Sequence, residues 1–318
     1  MIVVTGGAGF IGSNVVHALN RRGVEDILVV DDLSDPRKVE NIASASFADY
    51  LDRDEFAHMV ATSSVDLRGV RHIIHQGATT STTEHDGRAV MANNHGTSRA
   101  LLRYCTSHSV PIIYASSAAV YGASTSFSED RVNEHPLNVY GLSKLLTDQI
   151  ARRSLRTATS QVVGLRYFNV YGPGEAHKDD MASMILQLDD EVCRSATATI
   201  FGPSHGFTPG AQRRDFVHVE DVVDVVLWFM DHPELSGVFN CGSGDSQPFV
   251  AIAQAVIAAR GSGVVRFKEM PAALARRYQP KTLSDNRRLR AAGYQREFRS
   301  VLDAIPEYLR WRDHWRGV

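Results

Sequence analysis

Tyr140 and Lys144 stand four residues apart in Tyr140-Gly-Leu-Ser-Lys144, the spacing that puts two side chains on one face of a helix. A phenol with a pKa near 10 is a poor base at neutral pH, but a cation within about 4–6 Å stabilises the phenolate and brings that pKa toward the working range. The pair suits proton transfer at an alcohol oxygen, and Lys144 can also hold a nucleotide ribose. Upstream, Ser116 and Ser117 follow the apolar run Pro111 to Ala115, at the carboxyl end of a strand where open α/β sheets bind ligands. One of these hydroxyls is expected to hydrogen-bond the reacting oxygen, and Ser116 is assigned that role. An ordinary amphipathic surface also spaces a Tyr and a Lys in this way. What distinguishes the pair is the glycine loop that accompanies it.

That loop is Thr5-Gly6-Gly7-Ala8-Gly9-Phe10-Ile11-Gly12. It follows an apolar run and opens a segment with Ile11, Val15, Val16 and Leu19 at helical spacing. Gly6 permits a tight turn, Gly9 lets the backbone approach a pyrophosphate, and Gly12 allows close helix packing. N–H groups at the helix start, around Phe10 and Ile11, then bind phosphate with help from the helix dipole. Asp31, followed by Asp32, ends the second apolar run; an acid there accepts from the adenosine ribose 2′-hydroxyl and favours NAD. Arg37, Lys38 and Arg53 lie just downstream and can hold a 2′-phosphate instead, which favours NADP. Gln76, Gly77 and Ala78 after the third run, and Asn93 in the next helix, are further cofactor candidates.

The elements that must position these groups are legible as runs. Ile2 to Thr5, Ile27 to Asp31, His72 to His75, Pro111 to Ala115 and Gln161 to Arg166 read as strands, with helical patterns between them. Apolar runs without alternation mark strands buried on both faces, so the fold class is α/β, a doubly wound parallel sheet covered by helices. After Arg166 the rhythm loosens into Gly172-Pro173-Gly174 and the stretch from Gly202 to Gly210, then returns to the sheet at Phe216 to Val219 and Val238 to Cys241. The expected division is a dinucleotide-binding part over 1–167, with returns near 213–243, and a smaller, discontinuous substrate lobe mainly over 168–318. With 318 residues, 43% apolar and 22% charged, and a formal net charge of −2, the chain has no polyanion-binding signature, so nucleic acid is not an expected partner. It has no apolar run of about 18 residues and begins inside a strand without a basic leader, so no membrane partner and a cytoplasmic location are expected. Cys105, Cys193 and Cys241 lie far apart in apolar contexts and read as free buried thiols, with no metal site.

Together the glycine loop, the serines and Tyr140-x-x-x-Lys144 resemble the extended short-chain dehydrogenase/reductases, whose dinucleotide-binding part is a Rossmann-type sheet. The strings Ser81-Thr-Thr-Glu84, Pro136-Leu-Asn-Val-Tyr-Gly141, Arg166-Tyr-Phe-Asn-Val-Tyr-Gly-Pro173, His177-Lys178, Arg214-Asp-Phe-Val217 and Arg277-Tyr-Gln279 are more specific. They resemble the ADP-glyceromanno-heptose 6-epimerase family along the whole chain. That resemblance implies inversion at C6 of an ADP-heptose for the lipopolysaccharide core, by transient oxidation to a ketone, with NADP kept bound throughout. It implies Tyr140 and Lys178 as the two acid/base groups. Asp31, Asp32, Lys38, Arg53, Gln76, Gly77, Ala78, Thr79, Asn93 and Val170 then serve NADP with Tyr140, Lys144 and Lys178, while NAD stays possible. Ser116, Asn169, Asp180, Gln187, Phe201, Ser204, Arg214 and Tyr278 contact substrate, and the assembly is a homo-oligomer, a pentamer.

The match has departures. Asp180 stands where the family has a small Ser, Gln187 where it has His, and the loop from Pro203 to Gln212 is longer than in typical members. These changes bear on which heptose is used, and a related heptose of natural-product glycosylation is the alternative. A 4,6-dehydratase of the same fold would carry an Asp-Glu pair beside its active-site Ser or Thr, whereas Ser117 is followed here by Ala118-Ala119-Val120. A dinucleotide-sensing protein without chemistry would have no use for Ser116, Tyr140 and Lys144.

Overall fold

The computed structural model describes residues 1–62, 64, 67, 69–80, 86–275 and 278–316. Strands β1 (Ile2–Thr5), β2 (Ile27–Asp31), β3 (Asp49–Asp52), β4 (His72–His75), β5 (Ile112–Ser117) and β6 (Val162–Tyr167) come first. They are followed by β7 (Asn169–Tyr171), β8 (Thr197–Phe201), β9 (Arg213–His218), β10 (Gly237–Cys241), β11 (Ser246–Pro248) and β12 (Val264–Lys268). Seven of them form one sheet in the order β10-β6-β5-β4-β1-β2-β3, with every neighbouring pair parallel. The order reverses between β1 and β4, which opens a crevice at the carboxyl ends of those strands.

Successive residues of a strand face opposite sides of its sheet, and here both sides are buried. Ile2, Val4, Ile27 and Val29 pack with Val15 and Leu19 of the Phe10–Arg21 helix and Val222 and Val226 of the Val219–Asp231 helix. Val3, Leu28 and Val30 pack on the other side with Phe56, Leu101, Cys105 and Ala151, from the Arg53–Ala61, Thr97–His108 and Val139–Ser154 helices. A separate core gathers Tyr171, Ile185, Val192, Ile200, Phe216, Ile252 and Ile305. Around it lie the small sheets β11-β9-β7 and β12-β8 and the Met184–Ser195, Phe249–Arg260 and Val301–Arg316 helices.

The sequence expectations need four corrections. β5 continues through both serines to Ser117, and β9 begins at Arg213 rather than Phe216. β3 has the half-exposed polar sequence Asp-Tyr-Leu-Asp and carries no apolar run, because it lies at the sheet edge. Cys193 is exposed while Cys105 and Cys241 are buried, since position 193 falls on the outer face of its helix. Among the described residues no helix is long and apolar enough to cross a membrane, and no group of three His, Cys, Asp or Glu side chains is placed to hold a metal ion.

Candidate active site

Two adjoining cavities open at the crevice. The smaller, about 360 Å³, is lined by Gly6, Gly9, Phe10, Ile11, Gly12, Asp31, Asp32, Lys38, Arg53, Gln76 to Thr80, Asn93 and Lys178. Gly6 has φ +67°, and a Cβ there would lie 2.6 Å from the Gly77 nitrogen; a Cβ on Gly12 would strike the Gly6 carbonyl oxygen. The loop thus needs glycine at both positions to lie this close to the next strand and to its own helix. Gly9 caps that helix without a side chain, which leaves the first-turn N–H groups free for an anion. Gln76 Nε2 and Oε1 are buried without a hydrogen-bond partner among the described residues. An uncapped helix start, a cradle that excludes Cβ and an unpaired buried amide together fit a dinucleotide.

Asp31 is turned inward. Its carboxylate accepts from Ala8 N–H at 2.8 Å, from Asp32 N–H at 2.7 Å and from Lys38 Nζ at 2.9 Å. Arg53 pairs with Asp32 at 3.0 Å, whose carboxyl is held below its usual range by hydrogen bonds from Ser34 and then by Arg53 and Lys38. Two cations therefore flank the end of β2. Thr79 is fixed from a π-helical turn, Met91–Gly96: its N–H donates to Asn94 Oδ1 at 2.8 Å, and Asn93 Nδ2 donates to its hydroxyl at 3.3 Å.

The larger cavity, about 900 Å³, is lined among others by Ser116, Ser117, Tyr140, Lys144, Asn169, Val170, Lys178, Asp180, Gln187, Phe201, Arg214 and Tyr278. Asn138 starts the helix beneath it by accepting from Gly141 N–H at 2.8 Å, which sets Tyr140 in the first turn and Lys144 one turn on. Buried Arg166 ties that helix to β6 through Asp148 at 2.9 Å, and Tyr114 of β5 donates to the same carboxylate at 3.0 Å. Lys144 Nζ donates to the Ala115 carbonyl at 2.8 Å and lies 5.9 Å from the Tyr140 ring centre. Burial lowers its pKa to about 8. Burial also pushes the Tyr140 phenol above its usual value, opposed by hydrogen bonding with Ser117. Ser116 and Ser117 both line the cavity that holds the phenol. Ser116 Oγ is buried without a partner among the described residues.

Lys178 reaches both cavities from the short helical turn Ala176–Met181. Its Nζ donates to Thr80 Oγ1 at 3.1 Å, and burial first, then Lys38, pull its pKa down against the charge of Glu175. The two residues that depart from the family pattern touch each other: Gln187 Nε2 donates to the carbonyls of Asp180 and Ala182, both at 2.9 Å. At the far end Arg214 lies 4.9 Å over the Tyr278 ring and 5.7 Å over Phe249, with no carboxylate partner among the described residues. Tyr278 meets Phe201 edge-on at 5.9 Å, and its buried hydroxyl also has no partner there. Ser204 lines neither cavity; its hydroxyl accepts from Gln212 Nε2 at 2.8 Å. The long loop closes as a tight hairpin with Ser204 bridged to Phe207, and His205 leans on Tyr278. Ser81 to Glu84 and Arg277 lie outside the described residues. Glu175, Thr80 and Lys268, which also line the cavities, carried no sequence signal, for each is placed by contacts remote along the chain.

Residues 2–242 match the NAD dependent epimerase/dehydratase family. The chain is 48% identical to the ADP-L-glycero-D-manno-heptose-6-epimerase of Alkalilimnicola ehrlichii over 97% of its own length and 96% of that protein's. It superposes on the crystal structure of the Helicobacter pylori ADP-L-glycero-D-manno-heptose-6-epimerase with a TM-score of 0.85 and 28% identity, covering all of this chain and 96% of that one. The UDP-glucose 4-epimerase of Thermotoga maritima is more distant, with a TM-score of 0.80, 26% identity and coverage of 98% and 99%. With its motif residues gathered around one crevice, the chain belongs to the NAD dependent epimerase/dehydratase family, on the branch of the ADP-glyceromanno-heptose 6-epimerases.

Proposed function

We propose that this chain inverts C6 of the heptose in an ADP-glycero-manno-heptose while holding NADP. The observation that carries the reading is that Tyr140 and Lys178, on different elements, line one cavity that also contains Arg214 and Tyr278. The nicotinamide dinucleotide of this family supplies hydride removal from a carbinol carbon and hydride return to the ketone. Inversion asks the protein for a proton partner on each face of that carbon. Tyr140 serves one face, with Ser117 and Lys144 beside it. Lys178 serves the other, where burial has already weakened its hold on a proton. Arg214 offers a planar fork to diphosphate oxygens, and the rings of Phe201 and Tyr278 offer faces to the nucleotide.

NADP is supported by Lys38 and Arg53 at the end of β2, and by an Asp31 whose oxygens are already occupied by two N–H groups and Lys38. The family resemblance supports a homo-oligomer, a pentamer, and the division into 1–167 with returns near 213–243 and a mainly substrate-binding 168–318. A related heptose is the second reading, favoured by the linked Asp180 and Gln187 in the cavity wall. Incubation of the purified protein with ADP-glycero-manno-heptose, followed by NMR of the C6 configuration, is expected to give both epimers without added cofactor. Mass analysis of the denatured enzyme is expected to release NADP. Absence of inversion on any ADP-heptose overturns the substrate assignment.

A further inference from the structure

Glu175 lies in the wall of the larger cavity, is only 1% exposed, and has no part in the chemistry described so far. Its Oε1 accepts from Gly172 N–H at 3.1 Å, from the Ser183 hydroxyl at 2.8 Å and from the Tyr308 hydroxyl at 2.8 Å. Its Oε2 accepts from Ser183 N–H at 2.5 Å. The donors come from the turn after β7, from the cap of the Met184–Ser195 helix and from the Val301–Arg316 helix. One carboxylate therefore ties both ends of the 172–183 loop to the C-terminal helix. Lys178 sits one short turn beyond it, donating its N–H to the Glu175 carbonyl at 3.0 Å. Lys178 is acted on by the acid Glu175 and by Lys38, and its neighbour His177 by Lys178, Lys38 and the acid Asp35, so Glu175 is the acid that acts on Lys178 itself.

We propose that Glu175 is the positioning residue of this site: it shapes the loop that delivers Lys178 and supplies the buried negative charge that keeps that ammonium protonated until its proton is needed. The inference rests on the two-base reading above. Burial raises the Glu175 pKa, opposed by hydrogen bonds from Ser183, Gly172 and Tyr308 that favour the ionised carboxylate, so four donors are spent on an acid that packing alone would not require. Glutamine keeps the shape but sets an NH2 against one of these donors, so loss of packing is read from folding and the charge coupling is read from the Lys178 midpoint.

The test compares Glu175→Gln with Tyr308→Phe, each alone and combined with Lys178→Met. The readouts are the ¹⁵N titration of Lys178 Nζ, assigned by its loss in Lys178→Met, and the pH profile of inversion. Glu175→Gln is expected to lower the Lys178 midpoint by about one pH unit, as removal of a nearby opposite charge does, and to lower kcat about tenfold or more with little change in KM. Tyr308→Phe keeps the charge and leaves the midpoint in place. In the Lys178→Met background the Glu175 substitution should cost little further kcat, because residues acting as a unit are not additive. An unmoved Lys178 midpoint in folded Glu175→Gln, or fully additive losses, overturns the proposal. Should Glu175→Gln not fold, the reciprocal measurement decides: the ¹³C midpoint of the Glu175 carboxyl must rise in Lys178→Met, and no change overturns it. Full inversion by Lys178→Met would instead sink the two-base reading while leaving the measured charge coupling intact.

Discussion

Which of two adjacent serines serves Tyr140 is a question of strand facing. Successive side chains in β5 point to opposite sides, yet both serines line the cavity: Ser117 acts to lower the pKa of the Tyr140 phenol, while the Ser116 hydroxyl is left for the reacting oxygen. Loss of Ser117 removes a hydrogen bond that favours the ionised phenol. Ser117→Ala is therefore expected to lower kcat at least about tenfold, within the range of general acid–base contributions. Ser116→Ala removes a buried hydroxyl that lines the cavity without a partner among the described residues and, if it meets the reacting oxygen as assigned, should lower kcat about tenfold or more with stability little changed. An unchanged steady-state rate in Ser116→Ala would leave Ser117 as the serine that serves the reaction. Tyr140→Phe and Lys178→Met should each reduce inversion by about 10²–10⁴-fold while the released dinucleotide still measures one per chain. The sequence made Tyr140 and Lys144 legible because their chemistry is set by helical spacing. It left Lys178 readable only by resemblance, since Glu175-Ala-His-Lys-Asp-Asp180 is also an ordinary charged loop until Tyr308, 133 residues away, buries its first acid.

At the scale of elements, the strands that could be read were those buried on both faces. β1, β2, β4, β5 and β6 carry buried apolar runs without alternation because helices cover both sides. β3 and β12 escape such reading: they lie at sheet edges with half-exposed or exposed residues, where pairing rather than side-chain burial defines the strand. The glycine loop is the element whose sequence and geometry agree most closely, and Gly12 tests it. An added Cβ meets the Gly6 carbonyl and lies 3.0 Å from Gly7 Cα, both backbone atoms that cannot swing aside. Gly12→Ala must therefore shift the loop or the helix. The expected result is a loss of about 1–3 kcal/mol in stability, as for other overpacked sites. Dinucleotide affinity should fall at least about tenfold, a loss of 1.4 kcal/mol or more. Equilibrium dialysis and thermal melting measure the two. Unchanged dinucleotide affinity would show that the phosphates do not depend on this turn.

For the whole molecule, the seam between the sheet and the second core runs through the end of β9. His218 ends that strand, accepts from Glu220 N–H at 3.3 Å to start the Val219–Asp231 helix, and meets Tyr171 edge-on at 5.2 Å. The helix it starts packs on the sheet core, whereas Tyr171 belongs to the other core. The residue is 7% exposed, and burial, then Arg299, lower the imidazole pKa to about 4. An unfolded histidine titrates near 6.5, so below that pH the unfolded chain binds a proton that the folded chain refuses. The contribution of His218 to stability is therefore complete above about pH 7.5, falls as pH drops through 6.5, and stops falling below about 4. A full proton difference corresponds to about 1.4 kcal/mol per pH unit. His75, whose pKa burial lowers to about 3, acts with the same sign and stays in place as an internal reference. His218→Gln should lower stability at pH 7.5 yet flatten its decline between pH 6.5 and 4.5 by up to one proton's worth of slope. Urea unfolding at pH 7.5, 5.5 and 4.5 compares the two proteins. Parallel curves would mean that this imidazole is protonated alike in both states, and that the seam is held by packing without a titrating group.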